Sequence, residues 1–136
     1  MGKKREIIVG TSGYSFDDWR GVFYPDDIPR KHWLPFYARQ FSSLEINSTY
    51  YAIPRSGILK RMADITPERF QFVVKLPGEI THKRDGDFSP FRQFTERIDE
   101  ILQAGKLSGL LAQFPFSFKR DGDSDEYIRF MRENLP

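Results

Sequence analysis

The chain has 136 residues, a formal net charge of +2, 39% hydrophobic and 29% charged residues, and no cysteine. These values are ordinary for one soluble globular domain, and they exclude disulfides, thiolate metal sites and cysteine nucleophiles. No apolar run approaches the roughly 18 residues of a membrane helix, and the basic first residues are not followed by the apolar stretch of a signal peptide. We therefore predict a cytoplasmic protein without membrane contact, and the nearly balanced charge disfavours strong nucleic-acid binding.

Four short apolar segments are predicted as buried strands of a parallel sheet. Each one is rich in apolar or β-branched residues and is bounded by turn residues, as buried parallel strands are. The predicted strands are residues 6–9, 44–46, 70–74 and 109–112.

Four amphipathic segments alternate with these strands and are predicted as helices. Their apolar residues recur at the three- and four-residue spacing of one helix face. Pro35 and Pro90 fit the first turns of their helices, where a missing N–H costs little. Ser89 is the expected N-cap of the third helix, and Asp123 with Glu126 is expected to form a capping box in the fourth. The predicted helices are residues 33–41, 56–65, 90–104 and 124–135.

The alternation of strands and helices predicts an α/β fold, with a parallel sheet and helices on its outer face. We predict (βα)4, one half of a TIM-type (β/α)8 barrel, as a single domain over residues 1–136. A full barrel takes about 250 residues, so the second half is expected to be absent from this chain.

Polar side chains are expected to meet at the C-terminal ends of the strands, where such barrels hold their active sites. Because alternate residues of a strand share a face, the apolar positions should face the helices, while Glu45 and Asn47 face the barrel axis. A buried Glu45 needs a partner, and Lys75 on the next strand is the expected one. This pair is either catalytic or a structural ion pair. The same alternation places three polar residues on the axis side, namely Thr11, Lys75 and Gln113.

The loops after the strands add candidate ligand-binding residues. The first loop reads G-T-S-G, so backbone N–H groups around Thr11 and Ser12 could hold an anion, or the segment is simply a tight turn. Tyr14, Trp19 and Tyr50 either stack on a sugar or base or roof the barrel. Roofing is the favoured role for Trp19.

His82 follows the third strand and is a candidate acid or base, because a histidine titrates near neutrality. It would act with Glu45 and Lys75; the alternative is a loop histidine that caps a backbone carbonyl. No metal site is predicted, because residues 121–125 open like a calcium loop but the required Gly and bidentate Glu do not follow. No motif specifies a cofactor.

Six ordered motifs extend over most of the chain. They are G-T-S-G-Y at residues 10–14, W-R-G-V-F-Y-P at 19–25, F-Y-A at 36–38, E-I-N-S-T-Y-Y at 45–51, V-K at 74–75 and I-T-H at 80–82. Together they strongly resemble the YecE-like family, the domain of unknown function numbered 72. The resemblance implies a TIM-type barrel and no settled activity. It places these residues within the family's own motifs: Thr11, Ser12, Trp19, Glu45, Asn47, Tyr50, Lys75 and His82.

Three functional interpretations follow from the sequence. The first is an enzyme that acts on a small polar or anionic substrate, such as a sugar or phosphate compound. The second is a nucleic-acid-binding protein that uses its Lys-Arg loops and tyrosines. The third is an inactive half-barrel, either a truncated product or a subunit that pairs with a second copy or a second half, because its sheet edges are unpaired.

Overall fold

The computed structural model describes Gly2 and residues 4–136, and within them four strands alternate with four α-helices. The strands are β1 (Gly10–Ser12), β2 (Ser43–Ile46), β3 (Gln71–Lys75) and β4 (Leu107–Leu111). The helices are α1 (Trp33–Gln40), α2 (Ile58–Asp64), α3 (Ser89–Leu102) and α4 (Gly122–Asn134). Short 3₁₀ turns lie at Asp17–Trp19, Arg30–His32 and Ser48–Tyr50, and a π-helical turn lies at Glu79–Lys83.

The strands form one parallel sheet in the order β1-β2-β3-β4. A helix lies in each connection between consecutive strands, which is the arrangement of successive units in a (β/α)8 barrel. The predicted α/β fold is therefore confirmed, and it is consistent with half of a TIM-type barrel. None of the helices in the described part of the chain is both long and apolar enough to cross a membrane.

The two central strands have one buried face and one half-buried face. Leu44, Phe72 and Val74 have no exposed surface, whereas Glu45 and Lys75 on the opposite face are half-buried. This alternation confirms that the apolar positions face the helices. The helices complete the core with a set of buried apolar side chains: Trp33, Leu34, Tyr37, Leu59, Phe91, Phe94, Ile98 and Ile101.

The first strand lies later in the chain than predicted. The sequence predicts a strand at residues 6–9, but β1 begins at Gly10, and Ile7 and Val9 are 88% and 58% exposed. Gly10 pairs with Ser43 at very close range, because a Cβ atom at Gly10 would lie 2.2 Å from the Ser43 carbonyl oxygen. Glycine is needed where two backbones approach in this way, so close backbone contact rather than hydrophobicity marks this strand.

Thr11 faces the helices and not the barrel axis, which corrects the prediction. It pairs with Leu44, a residue of the buried face, and its backbone N–H donates to the Tyr37 hydroxyl oxygen at 2.8 Å. The prediction assumes that Ile7 and Val9 belong to the strand and face the axis, but both residues precede β1. Ser12, which pairs with Glu45, takes the place on the axis side instead.

The start of α3 differs slightly from the prediction. Ser89 is the first residue of the helix rather than its cap, and Phe88 occupies the cap position without a side-chain hydrogen bond. Asp87 accepts the Ser89 N–H through Oδ1 at 2.9 Å, so a residue upstream of the cap supplies the missing acceptor. Pro90 and Pro35 do lie in the first turns of α3 and α1, as predicted.

The start of α4 also differs, because Asp121 is its N-cap. The Asp121 carboxylate accepts the N–H of Ser124 at 2.7 Å, so the predicted box of Asp123 and Glu126 is wrong. This hydrogen bond holds the pKa of Asp121 below its ordinary value. Both candidate caps lie in a run of acidic residues, and the sequence alone does not show where the helix begins.

Candidate functional site

Three polar side chains form a hydrogen-bonded chain on the axis-facing side of β1 and β2. Ser12 Oγ lies 3.1 Å from Oε1 of Glu45, and Asn47 Nδ2 donates to Ser12 Oγ. Because a carboxylate can only accept, the hydroxyl proton of Ser12 points to Glu45 and the Ser12 oxygen is free to accept from Asn47. We call these three residues the Glu45 network. It orients the carboxylate of Glu45.

A small cleft of about 190 Å³ borders the Glu45 network. Of the predicted site residues, Thr11, Ser12 and Glu45 line it, whereas Asn47, Lys75 and Gln113 do not. Asn47 Oδ1 is buried, with no hydrogen-bond partner within the described residues, so the network has an unused acceptor. The cleft is lined by Gly10, Thr11, Ser12, Ser43, Glu45 and Val73.

Lys75 does not pair with Glu45, so the predicted ion pair is wrong. Its Nζ atom lies over the ring of Tyr50, 4.7 Å from the ring centre. The register of the sheet gives the reason, because Glu45 lies opposite Val73, and Lys75 is two residues, or about 6.6 Å, further along β3. The aromatic face of Tyr50 therefore attracts the ammonium group, which is the geometry of a cation–π interaction.

His82 packs against the same tyrosine. It is exposed, it belongs to the π-helical turn Glu79–Lys83, and its ring centre is 5.1 Å from that of Tyr50 at 80°. Its Nδ1 atom lies 2.8 Å from Oγ1 of the buried Thr81. Lys75, Tyr50 and His82 thus form a second group at the strand ends, which we call the Tyr50 group.

Three residues that were not predicted as site residues hold the Tyr50 group in place. Thr49 is buried and donates to the carbonyl oxygen of Lys75 at 2.6 Å, which ties the loop after β2 to the end of β3. Gly78 lies beneath Tyr50, where a Cβ atom would be 3.1 Å from the Tyr50 ring. Thr81 contacts His82. The Pro-Gly pair at residues 77–78 is a turn signal that the sequence shows, whereas the contacts of the two threonine hydroxyls depend on the folded structure.

Tyr14 and Trp19 contact other aromatic residues rather than joining either group. The carbonyl oxygen of Tyr14 accepts the Tyr24 hydroxyl at 2.7 Å, and burial raises the pKa of Tyr14. Trp19 packs against Phe16 and Phe23, with ring centres 4.9 and 5.5 Å away. These contacts are those of the roofing alternative.

The first loop and the segment after β4 add less to the candidate site than the sequence predicts. The N–H of Thr11 is donated to Tyr37 and that of Gly13 to the carbonyl oxygen of Glu45 at 2.9 Å, so both donors are already used within the fold. Such a segment is a tight turn, and an anion would have to displace these bonds. Gln113 lies two residues beyond β4 and is exposed.

The described residues contain no group of three or more His, Asp and Glu side chains placed to hold a metal ion. What the strand ends do offer is a carboxylate held by a hydroxyl group, a lysine held by an aromatic ring, and an exposed imidazole. Such a set can bind a polar ligand and transfer protons.

A family model described as a protein of unknown function, DUF72, matches residues 8–136. The chain belongs to the DUF72 family. This confirms the resemblance that the sequence motifs indicated, and the family description assigns no activity. The residues of the Glu45 network and of the Tyr50 group all lie within the matched segment.

Curated relatives of this DUF72 chain include two proteins of the UPF0759 group. It is 27% identical over 135 residues to YunF of Bacillus subtilis, which covers 95% of this chain and 47% of YunF. It is 38% identical over 90 residues to YecE of Escherichia coli K12, which covers 62% of this chain and 31% of YecE. The chain therefore spans less than half the length of the curated relatives it matches.

Solved DUF72 structures share the fold. A DUF72 family protein from Thermotoga maritima superposes with a TM-score of 0.81 at 39% identity, covering 95% of this chain and 52% of that one. A DUF72 family protein from Enterococcus faecalis has a TM-score of 0.69 at 25% identity, covering 76% of this chain and 45% of that one. The sheet and helices described above thus correspond to about half of each solved chain.

Proposed function

We propose that the C-terminal strand ends of this DUF72 chain bind and act on a small polar or anionic ligand, such as a sugar or phosphate compound. The observation that carries the proposal is the position of Lys75. Lys75 is a half-buried residue whose ammonium group lies over Tyr50 and is not paired with Glu45. A cation held by an aromatic ring rather than by a carboxylate keeps its charge available to a ligand.

The other residues of the two groups divide the chemistry between them. Glu45 is oriented by Ser12 and has a second carboxylate oxygen available, so it is the candidate proton acceptor. Lys75 binds the anionic part of the ligand, and the exposed His82 lies against the ring of Tyr50. Asn47 and Tyr50 position these groups, whereas Thr11, Tyr14, Trp19 and Gln113 support the surrounding loops.

Replacing Lys75 tests this proposal. Inorganic phosphate is titrated into ¹⁵N-labelled protein, and amide shifts around Tyr50 and His82 report binding. Lys75→Met is expected to weaken phosphate binding about tenfold, the value of one charge-assisted hydrogen bond. Lys60→Met is the matched control, because Lys60 pairs with Asp64 on the surface of α2. Equal phosphate affinity in the two variants, or no saturable shift in the wild type, would contradict the proposal.

Nucleic-acid binding is a second candidate, favoured by one feature of the loop after β4. Phe116 is 91% exposed, and Lys119 Nζ lies 3.5 Å from the centre of its ring. A base could stack on such a ring while the lysine contacts a phosphate. Binding of a single-stranded oligonucleotide should then weaken as salt is raised, and about fivefold or more in Phe116→Ala. Val22→Ala, another highly exposed position, is the control. Salt-independent binding, or none, would exclude this candidate.

A partner that completes the sheet is the last part of the proposal. Among the described strands, β1 and β4 each have one neighbour, and their outer edges could pair with a second copy of the chain or with a second half-barrel. In the half-barrel interpretation, four βα units alone are inactive, and activity requires this pairing. The cytoplasmic location expected from the sequence likewise stays a prediction.

A further inference from the structure

The hydroxyl group of Thr81 is buried and has one hydrogen-bond partner among the residues that the structure describes. Thr81 has no exposed surface, and its Oγ1 atom lies 2.8 Å from Nδ1 of His82. The imidazole itself is exposed. The contact thus joins the hydroxyl of a buried residue to Nδ1 of an exposed histidine, whose Nε2 has no hydrogen-bond partner among the described residues.

The hydroxyl proton decides which nitrogen of His82 carries hydrogen. A buried O–H without an acceptor is unfavourable, and Nδ1 of His82 is the acceptor within reach of Thr81. Nδ1 accepts only when it carries no proton, so the neutral imidazole has its proton on Nε2. The other tautomer would direct the ring N–H at Thr81 and leave the threonine proton without a partner.

Several contacts hold the backbone shape on which this hydrogen bond depends. Arg84 donates from Nη1 to the carbonyl oxygen of Thr81 at 2.7 Å, and the hydroxyl of Tyr127 donates to the carbonyl oxygen of Ile80. The N–H of Thr81 donates to the Pro77 carbonyl oxygen at 3.3 Å. Arg84 itself has a φ of 45°, a left-handed conformation that a non-glycine residue adopts at a cost. The turn is therefore fixed from both ends.

We propose that Thr81 is a positioning residue that keeps His82 in the Nε2–H tautomer, so that His82 presents a hydrogen-bond donor to an anionic oxygen of the ligand. The inference rests on the proposed function and narrows it. Lys75 and His82 both flank Tyr50 and both present N–H donors, so the Tyr50 group favours a phosphate or carboxylate oxygen. The role of proton acceptor then falls to Glu45 rather than to His82.

The tautomer can be measured directly on the wild-type chain by imidazole ¹⁵N NMR at about pH 8.5, where a histidine is neutral. The chain has two histidines, and the exposed His32 serves as an internal reference. The ratio of Nε2–H to Nδ1–H in His82 should exceed that in His32 at least about fivefold. An Nδ1–H tautomer at His82, or equal ratios in the two histidines, would overturn the role of Thr81.

Variants of Thr81 provide a second readout. Thr81→Val removes the hydroxyl while keeping the shape, and the His82 ratio should fall to that of His32. Thr81→Ser restores a hydroxyl and should restore the ratio. A valine variant that folds and keeps the wild-type ratio would also overturn the proposal, because a purely structural threonine would leave the tautomer unchanged. Should the valine variant not fold, the wild-type measurement decides alone.

Titrations with inorganic phosphate and with acetate separate this inference from the proposed function. The His82 Nε2 signal should shift saturably with one of the two anions, and the responding anion identifies the ligand as a phosphate or a carboxylate. A response that is kept in His82→Gln and lost in His82→Ala, measured at neighbouring amides, supports a donor role. The expected tautomer without any anion response would overturn the anionic ligand, whereas an anion response with the Nδ1–H tautomer would overturn Thr81 alone.

Discussion

Lys106 is a buried lysine whose ammonium group is surrounded by neutral oxygen atoms. Nζ donates to the carbonyl oxygens of Ala63 and Thr66, the latter at 2.9 Å, and to Thr66 Oγ1 at 3.1 Å. These oxygens lie at and just beyond the C-terminus of α2, where backbone carbonyls lack partners within the helix. A cation at that end also interacts favourably with the helix dipole. Lys106 therefore joins the start of β4 to the end of α2.

Replacing Lys106 with methionine should destabilise the protein. Met fills a similar volume but leaves the carbonyl oxygen of Thr66 without its lysine donor, whereas the carbonyl oxygen of Ala63 still accepts from the Thr66 hydroxyl at 3.1 Å. The expected cost is about 1–3 kcal/mol in the free energy of unfolding. Denaturant unfolding measures the change. Lys60→Met, which removes an exposed lysine from α2, should leave the unfolding midpoint nearly unchanged. A Lys106→Met variant as stable as the wild type would contradict the capping role.

The pH dependence of unfolding in the wild type and in Lys106→Met gives an independent check on Lys106. Burial lowers the pKa of Lys106 below its ordinary value of 10.5. Between the lowered and the ordinary value, the unfolded chain binds more protons than the folded one, so the free energy of unfolding rises with pH over that interval. Comparing wild type with Lys106→Met from pH 7 to pH 10 isolates this contribution. The difference in free energy of unfolding between the wild type and Lys106→Met should grow towards pH 10. A constant difference would contradict the lowered pKa of Lys106.

At the scale of elements, the pairing of β1 with β2 depends on one glycine. A Cβ atom at Gly10 would collide with the backbone of Ser43, so Gly10→Ala should cost about 1–3 kcal/mol through overpacking. Gly109→Ala is the matched control, because Gly109 lies in β4 with open space around its Cβ position. Thermal unfolding of both variants measures the difference. Equal melting temperatures would show that the close approach of β1 and β2 is not required.

The elements that the sequence predicted well are those whose burial is repeated along the chain. Apolar residues alternate around Leu44 and Phe72 and recur with helical spacing in α3. Such patterns show which side of an element is buried, so they predicted the strand faces and the helix positions. The contacts that were missed join residues far apart in the sequence. The close approach of Gly10 to Ser43 defines β1. A local sequence pattern cannot show that the apolar run at residues 7–9 ends before this strand begins.

The candidate site follows the same rule. The polar alternation placed Glu45 and Asn47 on the axis face, because two-residue periodicity is a property of the strand itself. The partner of Lys75 depends on the sheet register and on the ring of Tyr50, which lies in the loop after β2. The residues next to Lys75 in the sequence predict neither of these. The sequence could therefore locate the strand ends but not the hydrogen bonds and ring contacts between them.

At the scale of the whole molecule, this chain corresponds to about half of the Thermotoga maritima DUF72 structure, with a TM-score of 0.81. Parallel sheets are normally covered on both faces, whereas the axis face here is only half-buried within the described residues. Ile7, Ile8 and Val9 have the composition of a strand and directly precede β1, yet they are exposed. Pairing of the β1 edge with another chain's β4 would extend β1 into these residues and bury them.

Sedimentation velocity over a range of concentrations tests this association. We expect residues 1–136 to form a dimer whose population rises with concentration, because two copies supply eight strands. The double variant Ile7→Lys with Val9→Lys places charges beside the β1 edge and should shift the chain to monomer. Val22→Lys, which adds a charge at a highly exposed loop position, should leave the dimer intact. A stable monomer that melts cooperatively at every concentration would contradict the pairing, because it would show that the four βα units need no partner.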